Sequence, residues 1–312
     1  MANKYLELRI NRDFGDILSV YFDFLKQNIK TFTNVFLRYN GVFIIGLLIT
    51  SYLLVSGFVG LIAADGLYGS GSGTVSEEDY YIYLFSGLGI FFVIFLIVAA
   101  LNFSISSAYL VKYDETKGNL FEKKEVWNLF KDRLGSILLF IVILVPIYLV
   151  FIVVVLITAF IPLAGIFIQY VLQFFLAAWI GVSFFCMLSE NKSVLDSFGE
   201  GWSLVINNFW KSIGVNFILG LLNGLLFFII MVIPGVIIGV YTFHVVENQV
   251  DVTGSVISMV IYTLALCLIL VASVYAQCLS QFVNGILYYA LHEKTYNVNT
   301  RSKIEEIGKS SL

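Results

Sequence analysis

The residues able to do chemistry are few. Two histidines, His244 and His292, three cysteines, Cys186, Cys267 and Cys278, and a set of amides lie among long apolar runs. Both histidines fall at the ends of those runs. No Asp, Glu, Lys or Arg lies in the core of any run, although ionisable residues inside a membrane are the usual mark of proton relays and ion pathways. A serine without a nearby base is not an activated nucleophile. Neither a Gly-rich phosphate loop nor a His/Cys/Asp metal spacing is visible. The sequence therefore predicts no catalytic residue, no cofactor and no metal, and a chain that is not an enzyme. Cys267 and Cys278 are eleven residues apart in the last apolar run, and all three cysteines read as small hydrophobes in helices.

The remaining polar groups are amides and hydroxyls. Gln277, Gln281 and Asn284 share a stripe of the last run with Ser273, Ser280 and Tyr288. Gln169 and Gln173 stand one turn apart in an earlier run, and Asn216 and Asn223 lie in another; Asn102 and Ser106 occupy the second. Such groups either hydrogen-bond neighbouring helices, at about 0.6 kcal/mol each, or line a wet groove for a polar or lipid-headgroup ligand. Gly220 with Gly224, and Gly235 with Gly239, are small-residue pairs suited to close helix packing.

The elements that must position these groups follow from composition. Of 312 residues, 59% are apolar and 12% charged, with a net charge of −3. A soluble domain carries about 25% charged residues, so the chain reads as an all-α integral membrane protein, with no basic field to suggest nucleic acid. The first long apolar run begins at Gly41, too late for a secretory signal. Six spans are expected, at about 41–64, 80–111, 134–161, 164–188, 212–244 and 254–291. Pro162 in "IPLAG" is the expected turn between the third and fourth. Every Lys and Arg falls in 1–40, 112–133, 189–211 or after the last span, whereas the intervening loops hold only acids, including Asp65, Glu77, Glu78, Asp79, Glu247 and Asp251. The positive-inside rule then places both termini in the cytoplasm. The loop from Asp65 to Tyr83 reads as a flexible, solvated acidic segment ending in an aromatic belt of Tyr80, Tyr81 and Tyr83.

A further pattern recurs three times. After Ser193, apolar residues fall at Leu195, Phe198, Trp202, Val205, Ile206, Phe209 and Ile213, an amphipathic stripe. Ser193 and Asp196 fit an N-terminal cap, and Lys211 suits the helix end. Residues 1–40 have Asp13 and Asp16 at cap spacing and a stripe of Phe14, Ile17, Leu18, Tyr21, Leu25, Ile29 and Phe32. Residues 112–133 have Asn119 and Glu122 at cap spacing and a stripe from Trp127 through Phe130 and Leu134 to Ile137. The chain thus reads as a single membrane domain of three units: an amphipathic helix at 1–40 with a hairpin at 41–111, a cytoplasmic helix at 112–133 with a hairpin at 134–188, and an elbow helix at 189–211 with a hairpin at 212–291, then a cytoplasmic tail at 292–312. Trp127, Trp202, Phe209 and Trp210 are the expected interfacial residues.

The stretch "SENKSVLDSFGEGWSLVINNFWKSIG", Ser189 to Gly214, with "IPGV" at 233–236 and Phe-Gly-Asp at 14–16, resembles the bacterial multi-pass membrane-domain family found fused to glycerophosphoryl diester phosphodiesterase. The resemblance spans the whole chain, and it implies a fold and a location in the bacterial inner membrane. It implies no phosphodiesterase activity, because that chemistry belongs to a separate barrel domain for which this chain has no room. The expected function is that of a non-enzymatic inner-membrane accessory or scaffold protein, held in the lipid bilayer and binding another membrane protein or complex. The alternative is a transporter or flippase of a neutral or lipidic solute.

Overall fold

The structure, a computed structural model, describes residues 5–64, 77–161, 164–248 and 255–310. The turn at Pro162, most of the acidic loop from Asp65, and Asp251 lie outside the described residues. Among those described, all regular structure is helical: α1 (Phe14–Ala64), α2 (Glu77–Glu115), α3 (Lys123–Asp132), α4 (Leu134–Ala159), α5 (Ala164–Glu190), α6 (Val194–Ile206), α7 (Phe209–Glu247), α8 (Val256–Tyr296) and α9 (Val298–Ser310). Six of them, α1, α2, α4, α5, α7 and α8, are long and apolar enough to cross a membrane, with mean hydropathy from 2.1 to 3.4.

The helices divide into two compact units. Unit 1 comprises Met1–Val35, Phe103–Leu222 and Cys278–Leu312; unit 2 comprises Phe36–Asn102 and Asn223–Gln277. All basic residues except Arg38 belong to unit 1.

Unit 1 is built around α5, whose residues Ile180 to Leu188 are all buried. Small residues allow the close approaches. A Cβ on Gly181 would lie 2.5 Å from the Asn284 amide, one on Gly285 would lie 2.4 Å from the Phe185 ring, and one on Gly201 would lie 2.1 Å from Ser183 Oγ. The α6 helix therefore lies directly on α5, with Phe198 stacked on Phe140 of α4 at 4.4 Å and its carbonyl accepting from Trp179 Nε1 at 2.9 Å. A second aromatic core joins three helices: Phe24 and Phe32 of α1, Tyr109 and Tyr113 of α2, and Phe282 of α8. Edge-to-face contacts within it include Phe24–Phe282 at 5.0 Å, Phe24–Tyr113 at 5.1 Å and Phe32–Phe282 at 4.7 Å. Each such pair contributes about 0.5–1.5 kcal/mol beyond burial.

In unit 2, α1 and α2 touch where glycines remove side chains. A Cβ on Gly57 would lie 2.5 Å from the Leu84 backbone nitrogen, and one on Gly60 would overlap the Tyr80 ring at 2.1 Å. Asn40 and Asn102 exchange amide hydrogen bonds at 2.8 and 3.0 Å. Tyr241 of α7 bonds Ser258 of α8 at 2.8 Å, and Thr242 bonds Tyr262 at 2.9 Å.

Three local expectations are corrected. The segment at 1–40 is not a helix separate from the first span, because α1 runs unbroken from Phe14 to Ala64. No proline interrupts it, the backbone stays helical through Asn40-Gly41, and the Asn40 side-chain amide donates to the Phe36 carbonyl at 3.0 Å. Its 51 residues are more than twice the roughly 20 that cross a hydrocarbon core. The middle cap is Glu122 with Glu125, not Asn119 with Glu122; Lys117 and Gly118 both adopt positive φ, 51° and 145°, so the chain is still turning at Asn119. Lys211 does not close α6. It lies in the first turn of α7 and donates to the Arg12 carbonyl at 2.7 Å, because Asn207 and Asn208 end α6 first. The cap at Ser193 matches its expectation, accepting from Asp196 N at 3.2 Å.

The stripes also divide. Ile17, Tyr21 and Phe32 of α1 are buried in unit 1, whereas Phe14 and Ile29 are exposed. On α6, Phe198 and Val205 are buried while Leu195, Trp202 and Ile206 are exposed.

Candidate functional site

Among the described residues, a cluster of ionisable side chains lies in unit 1, where α5 ends and α6 begins. Asn191, at φ 58°, adopts the left-handed conformation that stops a helix. The turn places Glu190 and Lys192 on either side of it and restarts the chain at the Ser193 cap. Two turns along α6, Glu200 comes back beside them. From α8, Tyr288, His292 and Tyr296 arrive at four-residue spacing on one helix face.

Their contacts are specific. Glu190 Oε1 accepts from Tyr288 Oη at 2.8 Å and pairs with His292 Nε2. Lys192 Nζ lies 2.5 Å from Glu190 Oε2 and also pairs with Glu200 Oε2. Glu200 Oε1 is buried without a hydrogen bond and faces His292 Nε2 at 4.0 Å. Burial depresses the Lys192 ammonium's pKa, but the hydrogen bonds to Glu190 and Glu200 outweigh it and the net shift is upward. An open cleft of about 510 Å³ reaches this group, lined by Glu190, Lys192, His292, Thr295, Tyr296, Val298 and Arg301.

Around the cluster, further polar contacts tie unit 1 together. Asp114 accepts from Tyr5 Oη at 2.8 Å and Arg9 Nε at 2.9 Å, while Arg9 reaches Ser189 at 3.2 Å and lies 4.8 Å over the Tyr289 ring. Glu293 accepts from the backbone of Asn299 at 2.9 Å and Thr300 at 3.0 Å, capping α9. Glu7 accepts from Lys303 and from Asn299, and chiefly the Lys303 hydrogen bond holds its carboxyl below the usual range.

The amides singled out in the sequence are not brought to one place. Gln281 is fully buried and donates to Ser107 Oγ of α2 at 2.9 Å. Asn284 is buried, donates to Gln281 Oε1 at 3.4 Å and packs against Gly181. Gln169 donates to the Val155 carbonyl of α4 at 3.3 Å. Asn216 is buried and donates to Ser212 O of its own helix at 3.1 Å. Gln173 is exposed on α5; Asn223 and Gln277 are half-buried and belong to unit 2. Of the aromatic positions, Trp202 and Trp210 are exposed, whereas Trp127 and Phe209 are half-buried. Phe175 of α5 joins them, 5.0 Å from Trp202 and 5.7 Å from Phe209, and Phe209 lies 5.3 Å from Trp210. The three cysteines are buried, and none is in a disulfide among the described residues.

Sequence reasoning missed the Glu190, Lys192, Glu200 and His292 cluster. Its members come from three helices and the turn between α5 and α6, with about ninety residues between Glu200 and His292. The one legible signal was the four-residue spacing of Tyr288, His292 and Tyr296. Compared with known proteins, the chain matches no family model, no curated protein and no solved structure.

Proposed function

We propose that the chain is a non-enzymatic accessory or scaffold protein of the bacterial inner membrane, binding a membrane partner or complex through its surfaces rather than passing a solute through its interior. One observation carries this reading: the most polar part of the last span is used in joining helices. Gln281 and Asn284 are sealed against Ser107 and Gly181. The surfaces left over are apolar. In α4 only Ile137, Phe140 and Thr158 are buried, and Leu195, Trp202, Ile206 and Trp210 are exposed on α6 and the start of α7.

The reading includes six spans arranged as three hairpins, each preceded by an amphipathic segment in the inner headgroup layer, with both termini cytoplasmic. Contacts of α1 with α2 pair 40 with 102, 46 with 94, 57 with 84 and 60 with 80, as antiparallel neighbours do. The gathering of every Lys and Arg in 1–40, 112–133, 189–211 and 292–312 supports a cytoplasmic position for those segments. The short motifs at 14–16, 189–214 and 233–236 support kinship with the phosphodiesterase-linked membrane-domain family, without its catalytic barrel.

Photo-crosslinking in cells tests the partner claim. A photoreactive residue at Trp210, Leu195 or Val145 is expected to give a discrete adduct with one membrane protein, dependent on position. Lipid adducts alone at all three sites would overturn it.

A further inference from the structure

We propose that Glu190, Glu200 and His292 form a binding site for one divalent transition-metal ion of the zinc class. The three side chains offer one imidazole nitrogen and two carboxylate oxygens, and the atoms they offer all lie within 4.8 Å of one another. A tetrahedral zinc ion with bonds of about 2.1 Å holds its ligand atoms about 3.4 Å apart. To hold the ion, His292 Nε2 and Glu190 Oε1, now in direct contact, would part to admit it, and Glu200 Oε1, 4.0 Å from His292 Nε2, would draw in.

Four features point to a cation here. Glu200 is nine-tenths buried, yet its Oε1 accepts no hydrogen bond and faces His292 Nε2. A buried carboxylate oxygen without a donor is costly, and a metal bond would satisfy it. The Lys192 ammonium already bridges the other oxygens of both carboxylates, so the pocket holds a positive charge at its outer side. Lys192 is 36% exposed on its side chain and lines the cleft, so it can withdraw outward when a metal enters. The outer shell is supplied as well: Tyr288 Oη donates to Glu190 at 2.8 Å, the kind of contact that orients a ligating carboxylate.

The donor set selects the ion. One imidazole with two carboxylates suits zinc, iron or manganese, whereas magnesium and calcium favour all-oxygen shells. Glu190 and His292 line the cleft, which gives an entry path and leaves a fourth position for water or a partner's ligand. The ligands come from α5, α6 and α8, so the ion would fasten these three helices together. This site stands independently of the scaffold reading.

The test is zinc titration of the purified full-length protein in detergent, stripped with chelator and followed by competition with a chromophoric chelator and by thermal unfolding. One zinc per chain is expected, with a rise in melting temperature. Glu200→Gln and His292→Gln are expected to weaken zinc binding more than tenfold, and Tyr288→Phe to weaken it about tenfold. Lys192→Met keeps the test decisive if the ligand variants fold poorly. It removes the competing ammonium and leaves two uncompensated carboxylates, so zinc should bind more tightly and restore the stability the variant loses. Absence of stoichiometric zinc in the natural protein, binding indifferent to Glu200→Gln, or binding confined to Lys192→Met would each overturn the proposal. A lysine-bridged ion-pair network alone would give Lys192→Met a lower melting temperature that zinc does not correct.

Discussion

Replacing Gly201 by alanine tests the seat of α6 on α5. The added carbon would lie 2.1 Å from Ser183 Oγ, 2.8 Å from Ser183 Cα and 2.9 Å from its Cβ. Ordinary carbon contacts are about 3.5–4.0 Å. Rotating the serine hydroxyl relieves only the first clash, because the other two involve atoms fixed to the α5 backbone. The α6 helix must therefore move outward by roughly 1 Å. That shift strains the bond from Trp179 Nε1 to the Phe198 carbonyl, now 2.9 Å, and opens the Phe140–Phe198 stack, now 4.4 Å. Overpacking costs about 1–3 kcal/mol and a weakened hydrogen bond about 1 kcal/mol, so the expected loss is about 2–4 kcal/mol. Gly199, two residues earlier on the same helix, has nothing within 4 Å of its Cβ position, and alanine there should stabilise by about 0.5–1 kcal/mol. The assay is unfolding in mixed micelles of increasing SDS content, followed by the emission of the four tryptophans, of which Trp179 and Trp202 sit at the α5–α6 contact. Opposite signs for the two substitutions are expected, with Ser183→Gly recovering part of the Gly201→Ala loss. Equal effects at Gly199 and Gly201 would refute the packing of α6 described above.

Further outcomes follow from other contacts. Asn40→Leu or Asn102→Leu alone should cost about 1–3 kcal/mol by stranding the partner amide, and the double replacement should recover most of it; unfolding of all three variants checks this. The Glu7 carboxyl is held below its usual range by Lys303, so its contribution is present above the ordinary glutamate pKa and is lost as pH falls through the lowered value. Amide exchange in α9 should therefore accelerate on acidification, and Lys303→Ala should remove that dependence. A topology reporter fused at Ser72 should score outside the membrane and one at Thr116 inside; the opposite result at either site would break the six-span arrangement.

Much of the architecture was legible because bilayer physics is blunt. Long uncharged runs announce helices, and the partition of Lys and Arg among loops depends on counting alone. The Ser193 cap was readable because its partner lies three residues away. What escaped depends on tertiary placement. No local signal tells whether Asn40-Gly41 breaks a helix; an amide bond to Asn102 on another helix helps keep it whole. Nor could the stripe on α6 show that Phe198 and Val205 meet protein while Leu195 and Trp202 remain bare, since that depends on Gly201 meeting Ser183. The Gln281 stripe was visible, but its partner Ser107 lies 174 residues earlier. The cluster of Glu190, Glu200 and His292 was hidden because none of its members lies in a span core, where a charge would have drawn notice.

Thiol accessibility along the last span tests most directly whether its amides join helices or line a path. In a background with Cys186, Cys267 and Cys278 changed to alanine, Gln281→Cys and Asn284→Cys would be treated in intact membranes with a small water-soluble maleimide. Labelling should be far slower than at Thr116→Cys, because Gln281 and Asn284 are sealed between helices. Labelling of both as fast as at Thr116→Cys would mean that the stripe lines a water-filled path, and the chain would then be a transporter rather than a scaffold.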